Sequence, residues 1–167
     1  SIMYIKLSIT LVDQAIISGV NFLVSILLIR FLGLEEFGIF TLLWMSVLFI
    51  QSIQMAMIST PMMSIGPKQL RVDINRYYRA VISHQIVFSI ISSVILYITI
   101  VLSDYMFPQW NIVNYAFSLA LLAFLAQNQD FIRRLLFVEG RMQAALVNDT
   151  ICYVGRLLLL YIIFISS

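Results

Sequence analysis

One arginine stands deep inside the last hydrophobic stretch of the sequence. Arg156 lies a dozen residues after Ala144, where that stretch begins, a distance of about 18 Å along a helix. A charge near the middle of a membrane is energetically costly and marks a functional site by default. Asp149 stands seven residues earlier on the same helix face, with Asn148 and Tyr153 beside it. We expect Arg156 to pair with Asp149 on one side, and with Asp13 or a substrate anion on the other.

A second set of polar residues runs along the first hydrophobic stretch. Their spacing of three, four or seven residues places them on one helix face, and they are Gln14, Ser18, Asn21 and Ser25. Asp13 lies at the edge of this stripe. Lipid would penalise these groups, so we expect the stripe to face other helices or a water-filled cavity. In a cavity it would bind a polar substrate or relay a proton, and otherwise it forms ordinary hydrogen bonds between helices.

Arg30 ends the same stretch, on the side opposite to most of the basic residues. One interpretation is that its guanidinium draws an anionic group through the membrane. The other is that it reaches to the membrane surface, or that it pairs with Glu35 or Glu36 in the following turn.

A third polar cluster closes the fourth hydrophobic stretch. Gln127, Asp130 and Arg134 share one helix face, and Asp130 and Arg134 form an acid–base pair one turn apart. Arg133 is explained as an anchor at the membrane boundary, but a carboxylate adds nothing to anchoring. We therefore hold Gln127 as a candidate substrate ligand and Asp130 as a candidate for proton or ion coupling.

Composition places all of these residues in a membrane. The chain has 167 residues, of which 62% are hydrophobic and 11% charged, whereas a soluble domain is about 45–50% apolar and about 25% charged. The net charge of +2 comes from residues beside membrane segments, so it does not indicate a nucleic-acid partner. One cysteine and one histidine build neither a disulfide nor a Cys/His metal site. No phosphate loop, nucleophile elbow or zinc motif occurs, so we expect no cofactor, no metal and no enzyme activity.

The elements that position these residues are five predicted membrane helices in a single all-α membrane domain, residues 1–167. The predicted spans are 7–32, 37–60, 80–103, 112–138 and 144–166. The second span is expected to end near Thr60 and Pro61, because proline stops a helix. The chain starts at Ser1 rather than at Met and ends in an apolar run, so we expect it to be the N-terminal part of a longer protein, truncated at the C-terminus.

Lysine and arginine predict the orientation of the chain, because they are enriched in cytoplasmic loops. The basic residues cluster before span one, after span two and around the end of span four, at Lys6, Lys68, Arg71, Arg76, Arg79, Arg133, Arg134 and Arg141. The opposite side carries Glu35, Glu36 and Asp104. The N-terminus is therefore predicted to be cytoplasmic.

Two stretches of the sequence resemble polysaccharide (O-antigen type) flippases of the multidrug/oligosaccharidyl-lipid/polysaccharide exporter superfamily. The first stretch is Asp13-Gln14…Ser18-Gly19…Asn21-Phe22, followed by Arg30-Phe-Leu-Gly33-Leu-Glu-Glu-Phe37-Gly38-Ile-Phe40. The second is Phe131-Ile-Arg133-Arg134-Leu-Leu-Phe137…Gly140-Arg141-Met142…Asn148-Asp149…Tyr153. The resemblance implies two pseudo-symmetric lobes around a central cavity, in which five spans are most of the N-terminal lobe.

The resemblance also implies a function and a location. The substrate would be an undecaprenyl-diphosphate-linked oligosaccharide repeat, flipped across the bacterial cytoplasmic (inner) membrane by alternating access. Arg156 and Arg30 would hold the diphosphate, while Asn21, Gln14 and Gln127 would bind sugar hydroxyls. Protonation of Asp13 or Asp149 would drive the cycle. The partners of the chain would be the lipid-linked oligosaccharide, membrane lipids and the remaining helices of the full-length protein.

Three other functions stay open on the sequence. A cation-coupled multidrug exporter of the same superfamily would favour acidic and aromatic cavity residues over Arg30 and Arg156. A membrane scaffold subunit would need Arg156 and Asp149 only for assembly. A membrane-embedded sugar transferase would need a catalytic acidic loop, for which Glu35 and Glu36 are the candidates.

Overall fold

A computed structural model describes residues 2–69 and 72–166, with side chains for all of these except residues 2, 3, 6 and 159–166. Every regular element in these ranges is helical. The α-helices are α1 (Ile2–Leu32), α2 (Leu34–Gln54), α3 (Thr60–Ile65), α4 (Ile74–Met106), α5 (Ala116–Val138) and α6 (Met142–Ser166). Arg71, one of the residues behind the predicted orientation, and the side chain of Lys6, another, lie outside the described part.

The helices confirm an all-α membrane protein. Within the described residues, three helical segments are long and apolar enough to cross a bilayer, namely Leu7–Leu32, Leu34–Lys68 and Ile74–Met106. A chain with several such segments is a multi-pass membrane protein. The charged residues of α5 are Asp130, Arg133 and Arg134, and those of α6 are Asp149 and Arg156. That these two helices also cross the membrane stays a prediction.

The second helical segment does not end at Pro61, and that prediction is wrong. After α2 the chain forms a π-helix, Met55–Ser59, in which the N–H of Thr60 donates to the carbonyl of Met55. Pro61 then occupies the first turn of α3, and it has no N–H to donate to the π turn before it. The wider π turn before it leaves room for the proline ring, which would clash with the preceding turn of a regular α-helix. A short 3₁₀ helix, Gly66–Lys68, completes the segment.

The other helix ends also differ from the prediction, for identifiable reasons. The turn between α1 and α2 is reduced to Gly33, whose φ of +82° lies in the left-handed region that glycine adopts without strain. The helix α4 begins at Ile74, six residues before Ala80, because its first turns take up charged and tyrosine residues of the predicted loop. The helix α5 begins at Ala116, later than Ile112.

The late start of α5 follows from a local hydrogen-bonding arrangement. The carboxylate oxygen Oδ1 of Asp104 accepts the backbone N–H groups of Ile112 at 2.7 Å and Val113 at 3.2 Å. These bonds hold the connection in short 3₁₀ turns, with Asn111 at a φ of +47°. The rings of Phe107 and Trp110 stack there, 4.7 Å apart.

The described chain forms two compact units. Unit 1 consists of residues 1–41 and 139–167, and in it α1 packs against α6. Unit 2 consists of Leu42–Val138, and in it α4 packs against α5 while α3 contacts α5. The buried apolar side chains of unit 2 are Val47, Met62, Leu96, Ile100, Ile112, Ala116, Leu119, Ala123, Ala126 and Phe131.

Candidate functional site

The buried face of α1 contains a carboxylate. Asp13 is 1% exposed, and Ile17 and Val20, one and two turns later, are also buried. These positions at i, i+4 and i+7 define the face of α1 that is covered in unit 1, where α1 packs against α6. An aspartate within an otherwise apolar membrane helix is rare and faces protein or a cavity rather than lipid.

The polar stripe of α1 lies on a different face. Gln14, Ser18, Asn21 and Ser25 are all exposed, and the hydroxyl of Ser25 donates to the carbonyl of Asn21 within the helix at 2.9 Å. The stripe therefore does not pack against the described helices, and that it faces further helices stays a prediction. The face that packs is shifted by one residue, so Asp13 belongs to it and not to the stripe. That the stripe lines a water-filled cavity stays a prediction.

The second buried carboxylate of unit 1 belongs to α6. Asp149 is 0% exposed, and its Oδ1 accepts a hydrogen bond from the Nδ2 of Asn148 at 3.2 Å. Asp13 and Asp149 are thus both buried, on helices that pack against one another.

Arg156 is partly buried and meets an aromatic ring one turn earlier on α6. Its Cζ atom lies 5.2 Å from the centre of the Tyr153 ring, within the range of a cation–π contact. Residue 156 lies fourteen positions after Met142, about 21 Å along the helix. The contact described for this arginine is therefore with Tyr153, while its expected pairing with Asp149 or Asp13 stays a prediction.

At the other end of α1, Arg30 is exposed, as are Glu35 and Glu36 at the start of α2. Exposure of all three side chains is compatible with both interpretations of Arg30, the surface contact and the attraction of an anion.

In unit 2 the predicted acid–base pair of α5 is confirmed. The Nε of Arg134 donates to the Oδ2 of Asp130 at 2.8 Å, with both side chains partly buried. The neighbouring Arg133 places its guanidinium 5.5 Å from the centre of the Phe137 ring. Gln127, one turn before Asp130, is completely buried. Gln127 and Asp130 therefore belong to unit 2, whereas the carboxylates Asp13 and Asp149 belong to unit 1.

Gln127 lies at the centre of a hydrogen-bonded network that joins three helical segments. Its backbone carbonyl accepts from the Nε2 of Gln54 at 3.1 Å, and its side-chain Oε1 accepts from Ser92 at 3.1 Å. Asn128 donates to the hydroxyl of Ser89 at 3.1 Å. We call these five residues, Gln54, Ser89, Ser92, Gln127 and Asn128, the amide network.

Sequence reasoning found only Gln127 among these residues. The buried face of α4 had a detectable sequence pattern. Its members, Gln85, Ser89, Ser92, Ser93 and Leu96, recur at helical spacing and are all buried. That signal was overlooked because the stretch is uncharged and very apolar. Gln54 had no such signal, since only the packing of distant helices brings it beside Gln127.

The two polar regions differ in the chemistry that they offer. Unit 1 holds buried carboxylates and a partly buried guanidinium, groups that bind ions, protons or anionic substrates. Unit 2 holds amides and hydroxyls, which bind neutral polar groups. Among the described residues, no three His, Cys, Asp or Glu side chains lie together as a metal site would require.

Comparison with protein-family models, with curated proteins and with solved structures finds no match to the chain. The class of the protein therefore follows from its own residues. It is an all-α, multi-pass membrane protein in which the carboxylates Asp13 and Asp149 are buried on two helices that pack together.

Proposed function

We propose that the chain is part of a transporter that flips an undecaprenyl-diphosphate-linked oligosaccharide across the bacterial inner membrane. The observation that supports the proposal best is the position of Arg156, partly buried on α6 and stacked on Tyr153. A guanidinium held in this way keeps its charge and its N–H donors, which suit a diphosphate. At the predicted depth in the membrane such a charge is costly, and it marks a functional site by default.

The other proposed roles follow from the exposure of each side chain. Arg30, Gln14 and Asn21 are exposed on α1 and would meet the substrate in the transport cavity. Gln127 is completely buried in unit 2, so it is the weakest of the proposed sugar ligands. Asp13 and Asp149 are buried and would couple transport to protons or another ion. Asp130 is already neutralised by Arg134 at 2.8 Å, so it is the weaker coupling candidate. The N-terminus would be cytoplasmic, and alternating access would involve the remaining helices of the protein.

A second candidate is a cation-coupled multidrug exporter of the same superfamily. The observation that favours it is the burial of two carboxylates, Asp13 and Asp149, in one unit. Buried carboxylates of this kind bind protons or cations and also attract cationic drugs.

The test is complementation of a bacterial strain that lacks its own O-unit flippase. The complete gene would be expressed as wild type, Arg156→Ala, Arg156→Lys and, as a control, Arg79→Ala, an exposed arginine of α4. Surface polysaccharide is then measured at matched membrane levels of protein. We expect wild type and Arg79→Ala to restore polymer, and Arg156→Ala to restore little.

The outcomes separate the candidates. Partial rescue by Arg156→Lys would show that charge matters more than guanidinium geometry. Failure of every version, in strains with several sugar chemistries, would reject the flippase. In that case the export of a fluorescent cationic drug, compared between wild type and Asp149→Asn, tests the second candidate.

A further inference from the structure

The interior of unit 2 contains more polar atoms than its own hydrogen bonds satisfy. Gln54, Ser59 and Gln127 are 0% exposed, Gln85 is 1% exposed and Ser93 is 8% exposed. Within the described part of the chain, several of their atoms have no hydrogen-bond partner: Gln54 Oε1, Ser59 Oγ, Ser93 Oγ, Gln127 Nε2 and both polar atoms of the Gln85 amide. Buried polar groups are hydrogen-bonded in roughly 90% of cases or more. Six such atoms in one unit therefore require an explanation.

These atoms lie next to the amide network. Gln85 and Ser93 stand one turn before and one turn after Ser89, on the buried face of α4. Gln54 and Gln127 belong to the network itself, and Ser59 ends the π-helix that follows Gln54. From Gln85 to Ser93 the polar face extends for about 12 Å, within a hydrocarbon core about 30 Å thick.

The atom types limit what can meet them. The unpaired amide nitrogens of Gln85 and Gln127 donate, the amide oxygens of Gln54 and Gln85 accept, and the hydroxyls of Ser59 and Ser93 can do both. A metal ion would leave the amide nitrogens unsatisfied, and an anion would leave the amide oxygens unsatisfied. The nearest charge in sequence, Asp130, is paired with Arg134 at 2.8 Å and so does not change this balance. A neutral hydroxyl satisfies both kinds of atom, because it donates and accepts.

We propose that the amide network and the unpaired atoms beside it form a binding site for neutral hydroxyl groups inside unit 2. The hydroxyls come from internal water molecules or from a small polyol, and they bridge α2, the π-helix, α4 and α5. Buried waters typically make about three hydrogen bonds each to polar groups of this kind. This site belongs to unit 2 alone and does not depend on the proposed transport activity.

The proposal predicts the sign of a stability change. Gln85→Met keeps an unbranched side chain of similar length but removes both polar amide atoms, and Ser93→Ala removes one hydroxyl. If bound hydroxyls meet these atoms, both substitutions discard hydrogen bonds and lower the Tm of the full chain in detergent. If the atoms are truly unsatisfied, their removal relieves a desolvation cost and raises the Tm. We expect Gln85→Met to lower the Tm by on the order of 3–6 °C, and Ser93→Ala by less.

Matched controls make the same substitutions at exposed positions. Gln143→Met at the start of α6 and Ser83→Ala on α4 alter exposed side chains and should leave the Tm unchanged. Glycerol serves as the polyol probe and is titrated against wild type and Gln85→Met. An equal Tm response in both proteins identifies the bound hydroxyls as water. A larger response in wild type identifies a polyol site, because the general stabilisation by glycerol is common to both proteins.

A lowered Tm for both variants with unchanged controls supports the hydroxyl site. A raised or unchanged Tm for either variant overturns it. If Gln85→Met does not fold, Ser93→Ala decides the question alone, since it only shortens a side chain by one atom.

Discussion

Gln54 and Gln127 are joined by a hydrogen bond between the side chain of one and the main chain of the other. The Nε2 of Gln54 lies 3.1 Å from the carbonyl oxygen of Gln127, across 73 residues of sequence. Because the side chain of Gln127 also accepts from Ser92 at 3.1 Å, this one glutamine ties α2 and α4 to α5. Hydrogen bonds, in addition to apolar packing, therefore stabilise the interior of unit 2.

The bond between Ser92 and Gln127 should be measurable as a coupling energy. Hydrogen bonds between membrane helices average about 0.6 kcal/mol and reach at most about 1.7 kcal/mol. We expect a double-mutant cycle of Ser92→Ala and Gln127→Met to give a coupling within this range, measured by unfolding in detergent. Ser92→Ala combined with Gln143→Met, an exposed site on α6, is the additive control. Strict additivity of the first pair would show that the bond contributes nothing.

Replacing Pro61 by alanine should stabilise the second helical segment. In the π register the donor to the carbonyl of Ala56 would be residue 61, and proline has no N–H to give. Alanine supplies that donor, so we expect a gain of about 1 kcal/mol, or a Tm higher by about 2–4 °C. Pro67→Ala is the matched control, because Pro67 also opens a short helix at an exposed position. A Tm that falls with Pro61→Ala would mean that the π-helix depends on proline for its stability.

Asp104 should be important for the connection between α4 and α5. Its carboxylate accepts two backbone N–H groups, from Ile112 and Val113. Hydrogen bonds to a charged acceptor contribute about 1.5–3 kcal/mol each in a favourable setting. Because Asp104 is partly exposed, we expect Asp104→Ala to lower the free energy of unfolding by an amount at the lower end of this range. Asp73→Ala is the control, because Asp73 precedes α4 without a side-chain capping bond. Equal unfolding temperatures for the two variants would contradict the assignment.

The aromatic ring under Arg156 should matter for transport in the complementation assay. Tyr153→Phe keeps a ring face for the guanidinium, which lies 5.2 Å from its centre, and should restore polymer. Tyr153→Leu removes the face and should reduce polymer, because a cation–π contact contributes about 0.5–2 kcal/mol. If the leucine variant restores as much polymer as the phenylalanine variant at equal membrane levels of protein, the aromatic ring is not needed for transport.

The sequence predicted the features that depend on neighbouring residues. The all-α membrane class follows from composition, and the Asp130–Arg134 pair follows from a spacing of one helical turn. The start of α4 at Ile74 was missed because Arg76, Tyr77, Tyr78 and Arg79 read as loop residues, although a helix accommodates them at a membrane surface. Pro61 was misread because a π turn offsets the usual effect of proline.

The features that depend on packing were not predictable in the same way. The sequence of α1 shows a polar stripe, but the contact with α6 determines which face of α1 is buried. That face contains Asp13, Ile17 and Val20. The amide network needs Gln54, Ser92 and Gln127 at one depth in three different helices. No local pattern encodes that alignment.

The polar face of α4 also bears on how the protein enters the membrane during synthesis. Of the three segments apolar enough to cross the bilayer, Ile74–Met106 has the highest mean hydropathy, although it contains Gln85, Ser89, Ser92 and Ser93. The insertion machinery responds to the summed apolarity of a segment, and the many isoleucines of α4 outweigh these four residues. Polar substitutions on the buried face of α4 are thus tolerated at the insertion step. New binding chemistry can therefore arise in the interior of unit 2 without loss of a membrane span.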